Sequence, residues 1–212
     1  MKKITLLAAT AAFTFAMTAC GGGETKTEEA APAAPAAPAA EAAEMKSYPI
    51  DAASSSVNWK GTMVGVYSHE GTIAIKEGNL DWKGNDLVGG NFVIDMTTIN
   101  PTDSGYTEEN TAEKLVGHLS TDDFFAVESN PTATFEITGS DMTAGTVSGN
   151  LTVRGKTNAE TVSNVVFDEA TGAATGVLTF NRQNYDVAYK HAAKDMVLSD
   201  DIELAIKLSP AM

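Results

Sequence analysis

The sequence predicts an all-β domain of about eight antiparallel strands with one short helix, preceded by a signal segment and an extended linker. Three observations carry that prediction. Apolar and polar residues alternate with a period of two in most segments between Val57 and Leu208, Gly- and Asn-bearing turn signals separate those segments, and one stretch around residues 107–125 changes to helical spacing. Strict alternation marks antiparallel strands with one face on a core and the other in water.

The first twenty residues read in three parts. Lys2 and Lys3 form a charged start, Ile4 to Met17 is an apolar run broken only by threonines, and the small residues Thr18 and Ala19 precede Cys20. A run of this length suits a secretory signal and falls short of the ~20 apolar residues that span a bilayer. Cys20 is the only cysteine of the chain, so it has no internal disulfide partner. The segment Met17-Thr18-Ala19-Cys20 resembles the bacterial lipobox, with Met17 where leucine is commoner. The resemblance implies cleavage after residue 19 and acylation of Cys20. Acyl chains gaining ~0.8 kcal/mol per buried CH₂ would hold the protein on a membrane. Gly21 is not the acidic residue that retains some lipoproteins at an inner membrane, so the expected location is the cell envelope, anchored at the outer membrane.

Residues 20–47 are then the lipidated cysteine and a tether. The run from Glu28 to Pro38 repeats Ala-Ala-Pro, and no large apolar side chain follows Cys20 before Met45. Such a segment cannot bury enough surface to offset the entropy of ordering it, and regular proline biases it toward polyproline II. Fully extended, it would reach roughly 80 Å.

Residues 48–212 are long enough for one domain with a core of its own and no disulfide. Strands are expected at 57–64, 71–76, 89–98, 134–138, 147–154, 161–167, 174–181 and 202–208. The clearest alternation is Ile202-Glu203-Leu204-Ala205-Ile206-Lys207-Leu208. Turns are expected at Glu77-Gly78-Asn79, Lys83-Gly84-Asn85-Asp86, Asn158 and Thr171-Gly172, and a bulge or kink at Gly89-Gly90. Between 107 and 125, Ala112, Leu115, Val116 and Leu119 repeat at helical spacing. Asp103 or Thr107 could cap that helix, and Glu108, Glu109 and Glu113 would favour its N-terminal dipole. Eight antiparallel strands close into a sandwich or a barrel, and periodicity does not choose between them.

Charge excludes two partner classes. The chain carries 14 Lys and Arg against 28 Asp and Glu, a formal charge of −14. Nucleic acid and anionic headgroups both call for basic patches that this composition does not supply.

The domain resembles the YceI-like family over about residues 48–208. Tyr48-Pro49-Ile50-Asp51 leading to Ser56-Val57-Asn58-Trp59 is similar to its first strand, and Ser68-His69-Glu70-Gly71-Thr72-Ile73 to its second. Val93 to Ile99 resembles the strand that ends in a Ser/Thr-Ile turn. Lys114 to Phe125 followed by Asn130-Pro131-Thr132-Ala133-Thr134-Phe135 resembles the family's His/Leu, Asp-Phe-Phe and Pro-x-x-x-Phe progression. Gly149 to Thr157 and Asn181-Arg182-Gln183-Asn184-Tyr185 complete the likeness, with Tyr185 where phenylalanine is usual. The resemblance implies a lipocalin-like eight-stranded antiparallel barrel whose apolar interior holds an amphiphilic chain, typically a polyisoprenoid.

An isoprenoid, quinone or related lipid needs a long apolar wall with polar groups only at its mouth. Alternation offers Phe92, Ile94 and Met96 from one strand, Phe135 and Ile137 from the next, then Leu151, Val153, Leu178 and Phe180. Phe124 and Phe125 would add aromatic bulk where the helix meets the barrel. The same residues could equally pack a solid core, leaving a non-catalytic structural or interaction barrel. Headgroup candidates are Arg154, Arg182, His118 and Tyr185, although salt bridges to Asp122, Asp123 or Asp186 would also account for the arginines. With only ten Lys or Arg from residue 48 onward, a neutral headgroup suits the balance better than an anion.

No catalytic residue and no metal are expected. His69, His118 and His191 lack close-spaced ligand partners, there is no Gly-x-Ser-x-Gly elbow, and Gly89-Gly90 is no phosphate loop. Adjacent carboxylates such as Asp122 and Asp123 diverge by ~100° on a helix and do not converge on one substrate. Expected partners are an apolar lipid and the membrane, with a homodimer allowed; no cofactor beyond a bound lipid is implied. In a bacterial host fed a labelled fatty acid, the wild-type chain should incorporate label and partition with membranes. Cys20→Ser should do neither; label retained in that variant would contradict acylation at Cys20.

Overall fold

A computed structural model describes residues 44–168, 170–191 and 196–211. The signal segment, Cys20 and the tether up to residue 43 lie outside the described residues. Nine strands form one antiparallel sheet: β1 (Met45–Pro49), β2 (Ser56–Met63), β3 (Tyr67–Lys83), β4 (Asp86–Pro101), β5 (Thr132–Asp141), β6 (Thr146–Val153), β7 (Lys156–Asp168), β8 (Ala173–Asn181) and β9 (Leu198–Leu208). Among the described residues a single helix, α1 (Ala112–Leu119), and a 3-10 turn (Arg182–Tyr185) interrupt the meander.

Strands β2 to β9 pair each with the next, and β9 pairs back onto β2 from Ser56↔Lys207 to Met63↔Leu198. The sheet therefore closes into an eight-stranded up-and-down barrel, which removes the open edges. The ninth strand stands outside that ring. Strand β1 begins at Met45, three residues before the expected start of the domain, and pairs with Asn79–Lys83 of β3 beyond the end of β2.

Two expected turns are instead strand. Glu77-Gly78-Asn79 lies within β3, where Ile75 pairs with Ile94 and Glu77 with Val93, so Lys76 is the extra residue of a bulge. The long β3–β4 ladder keeps this segment extended, and the bulge absorbs the bend that closure demands. Asn158 lies within β7; the turn falls at Arg154-Gly155, with φ of +50° and +72°. Two consecutive positive φ values make the type I′ geometry that matches strand twist. Near Gly89-Gly90 the expected bulge is present, since Gly89 pairs with Asp81 and Leu87 with Trp82, leaving Val88 unpaired.

The helix is shorter than its sequence signal, and its cap is neither Asp103 nor Thr107. Thr107 and Asn110 bond to each other in a turn of their own (3.0 and 3.1 Å), so helical geometry starts only after Thr111. The Thr111 hydroxyl accepts from the Lys114 amide at 3.3 Å, the N-cap contact. At the other end, Ser120 Oγ donates to the Val116 carbonyl (2.8 Å) and Thr121 Oγ1 to the His118 carbonyl (2.7 Å). Beyond the helix, Ala126 takes a left-handed φ of +47°.

Close approach of β3 to the end of β4 depends on Gly71. A Cβ there would overlap the Asn100 carbonyl oxygen and lie 2.8 Å from Pro101 Cα, both backbone. Gly71→Ala should destabilise the domain by about 2–3 kcal/mol, read as a lower urea midpoint at unchanged slope. An unchanged midpoint would show that the β3–β4 contact is looser than described.

Candidate functional site

The barrel is hollow. One cavity of about 950 Å³ runs its length, lined by residues of β2 to β9, α1 and the loops at the helix end. All the sequence-predicted wall residues line it: Phe92, Ile94 and Met96 from β4, Phe135 and Ile137 from β5, Leu151 and Val153 from β6, Leu178 and Phe180 from β8, with Phe124 and Phe125 after α1. Their rows follow the register, Phe92 opposite Phe135 and Phe135 opposite Leu151. A solid core is not what the interior contains. On β9, Ile202, Leu204 and Ile206 alternate inward yet are only half-buried, because part of each faces the void.

The two ends of the cavity differ. At the far end Trp82 and Phe167 pack ring against ring (4.7 Å between centroids), with Leu87 and Met142 beside them on the wall. At the helix end the lining turns polar: Ser68 and His69 from β3, Asp103, Ser104, Tyr106 and Thr107 before α1, and Lys114 on it. A wall that is apolar along its length and polar at one mouth orients an amphiphile.

At that mouth three side chains converge, His69 from β3 and Asp103 and Tyr106 from the connection before α1. Asp103 Oδ2 accepts from His69 Nδ1 at 2.9 Å, and Asp103 Oδ1 accepts from the Tyr106 hydroxyl at 2.7 Å and the Glu70 amide at 3.3 Å. The His69 and Tyr106 rings stack at 5.4 Å and 8°. Burial alone would push the Asp103 carboxyl up, but the hydrogen bonds from Tyr106, His69 and Glu70 outweigh it and hold it below the ordinary aspartate value. Burial, and then Asp103, drive the Tyr106 hydroxyl far above the ordinary tyrosine value, so it remains a donor. Sequence reading missed this cluster because His69 and Asp103 are 34 residues apart. Only the β3–β4 register, with Gly71 opposite Pro101, brings them together.

The four headgroup candidates fall in different places. Arg154 does not line the cavity; its guanidinium donates to the Phe124 and Asp186 carbonyls (2.9 and 2.7 Å), tying the β6–β7 turn to neighbouring loops. Tyr185 is fully buried in the 3-10 turn, away from the lining, and donates to Glu160 at 2.8 Å. Arg182 touches the cavity but is 2% exposed, and it donates to Ser199, Val187, Tyr189 and Leu198 carbonyls and to Asp200. Those bonds tie Val187 and Tyr189 to the start of β9. His118 does line the cavity, edge-on to Phe124 and Tyr189 at 5.0 and 4.8 Å, with Nε2 3.8 Å from Asp123. Among the described residues no cluster of His, Cys, Asp or Glu is placed to hold a metal ion, and no helix is long and apolar enough to cross a membrane.

An eight-stranded meander around an apolar chamber defines a lipocalin-like barrel. The chain belongs to the YceI-like family: the sequence model of the YceI-like domain matches residues 48–209. Among solved structures, BcnA of Burkholderia cenocepacia is similar at 19% identity and TM-score 0.56, covering 77% of this chain and 99% of that one. A polyisoprenoid-binding domain from Saccharophagus degradans is similar at 15% identity and TM-score 0.48, covering 80% and 98%. The YceI protein of Campylobacter jejuni stands at 19%, 0.43, 72% and 85%. A comparison with curated proteins found no match.

The buried pairing of Asp103 makes a pH prediction. Its carboxyl is more acidic folded than unfolded, so the stability it contributes is present above about pH 4 and is lost as pH falls through its folded value. Asp103→Asn should therefore flatten the acid limb of the stability curve below about pH 4, measured by urea denaturation. An acid limb parallel to the wild type's would mean that the pairing contributes nothing.

Proposed function

We propose that this protein is a non-catalytic carrier or buffer that holds a long apolar molecule, an isoprenoid, quinone or related lipid, lengthwise in its barrel. In this reading acylated Cys20 anchors it in the cell envelope, at the outer membrane, and the proline-rich tether lets the barrel stand off the bilayer. The carrying observation is the continuous apolar chamber of about 950 Å³, near the top of the ~300–1,000 Å³ range of ligand pockets.

Energetics support an occupied interior. At ~24 cal/mol per Å³ of void, a dry cavity of this size would cost roughly 20 kcal/mol, more than the ~5–15 kcal/mol by which a domain is usually stable. Water is a poor filling, since it needs two to four polar partners and the mid-barrel wall offers few. A hydrocarbon chain supplies the missing contacts, at ~0.8 kcal/mol for each CH₂ removed from water. The membrane anchor gives such a chain a source and a destination.

The reading also draws on membership of the YceI-like family. Narrowing the chamber tests it. Ala133 lies on the cavity wall in β5 and is buried. Ala133→Phe should weaken binding of a fluorescent long-chain polyene at least tenfold, while the far-ultraviolet circular dichroism stays that of the wild type. Equal binding by a folded variant, or no binding by the wild type, would contradict the proposal.

A further inference from the structure

We propose that the His69–Asp103–Tyr106 cluster is a headgroup site selecting a neutral hydrogen-bond donor: a hydroxyl-bearing chain such as a prenyl alcohol or quinol, rather than a quinone, ether or phosphate. The inference rests on the apolar-chain reading above and names the polar end of that ligand.

A carboxylate only accepts, and the Asp103 side chain, one-tenth exposed, accepts from Nδ1 of His69, the Tyr106 hydroxyl and the Glu70 amide. Nδ1 therefore carries the proton, and in the neutral ring Nε2 is left as an acceptor. Nε2 makes no hydrogen bond to another described residue. His69 lines the cavity mouth, so its remaining polar atom belongs to the surface a headgroup meets. The carboxylate behind the ring holds the proton on Nδ1 and fixes the ring's orientation.

Little positive charge faces this site. Arg182 spends its guanidinium on four carbonyls and Asp200, and Lys114 Nζ already donates one hydrogen bond to the Glu109 carbonyl at 2.6 Å. An anionic headgroup would meet the Asp103 carboxylate with Lys114 as the one lysine among the described residues of the lining to offset it. A quinone carbonyl or an ether oxygen would face Nε2 acceptor to acceptor. A hydroxyl donates to Nε2 and leaves the cluster's internal bonds intact.

The test compares equilibrium binding of geranylgeraniol, its methyl ether and its monophosphate to the purified full chain. The three probes share one apolar chain and differ only at the end. One added hydrogen bond should favour the alcohol over the ether by on the order of tenfold, with the phosphate weaker still. His69→Phe keeps a ring to stack on Tyr106 and removes both ring nitrogens; it should bring the alcohol-to-ether ratio to about one. A readout in the wild type needs no variant: the His69 Nε2 ¹⁵N chemical shift should move on adding alcohol and stay put on adding ether. Equal binding of alcohol and ether, an unaltered ratio in folded His69→Phe, or tightest binding of the phosphate would each overturn the headgroup assignment while leaving the apolar-chain reading standing. Failure of all three probes to bind would instead overturn that underlying reading, and this inference with it.

Discussion

Pairing of β9 with β2 is the constraint on which the rest of the molecule depends. Seven matched residue pairs join the last strand to the first strand of the ring, and through them every backbone edge of the eight-stranded sheet finds a neighbour. Once the ring is closed, strand number limits how narrow the barrel can be, and side chains must fill whatever interior results. Here they do not. The inward residues of β9 stay half-buried, and the two tryptophans, Trp59 and Trp82, stand at the wall of the void instead of crossing it.

The loops respond to this closure unequally. At the far end the strands join by short turns, with Trp82 and Phe167 packed together beside them. At the other end two long connections, β4 to β5 and β8 to β9, supply α1, the buried Arg182, and Asp103 and Tyr106, which meet His69 of β3. Arg182 shows how such a connection is held: one guanidinium donates to two carbonyls of the connection, Val187 and Tyr189, and to two at the start of β9, Leu198 and Ser199. Apolar length and polar mouth are thus two consequences of one topology.

Most of the fold was legible in the sequence because strand periodicity reports which face meets the interior, and the interior exists whether it is filled or hollow. That is why Phe92, Phe135, Leu151 and Leu178 could be assigned to the wall, and why the same pattern could not separate a core from a chamber. Glu77-Gly78-Asn79 misled because a bulge and a turn use the same residues, and only the paired strand decides between them. Arg154 and Tyr185 drew attention as polar residues in specific motifs, yet their partners, Phe124, Asp186 and Glu160, are between 25 and 32 residues away in sequence. Asp103 was visible only as a local helix cap. Its contact with His69 is a product of register, which no local pattern encodes.

The central claim is that the chamber carries an apolar guest. Native mass spectrometry of the full chain, purified without detergent from a bacterial host, tests it most directly. The account predicts a complex heavier than the processed polypeptide by the mass of one chain-like lipid, released on denaturation and recoverable in organic solvent. A native mass equal to that of the denatured protein, unchanged after incubation with prenyl lipids, would contradict it.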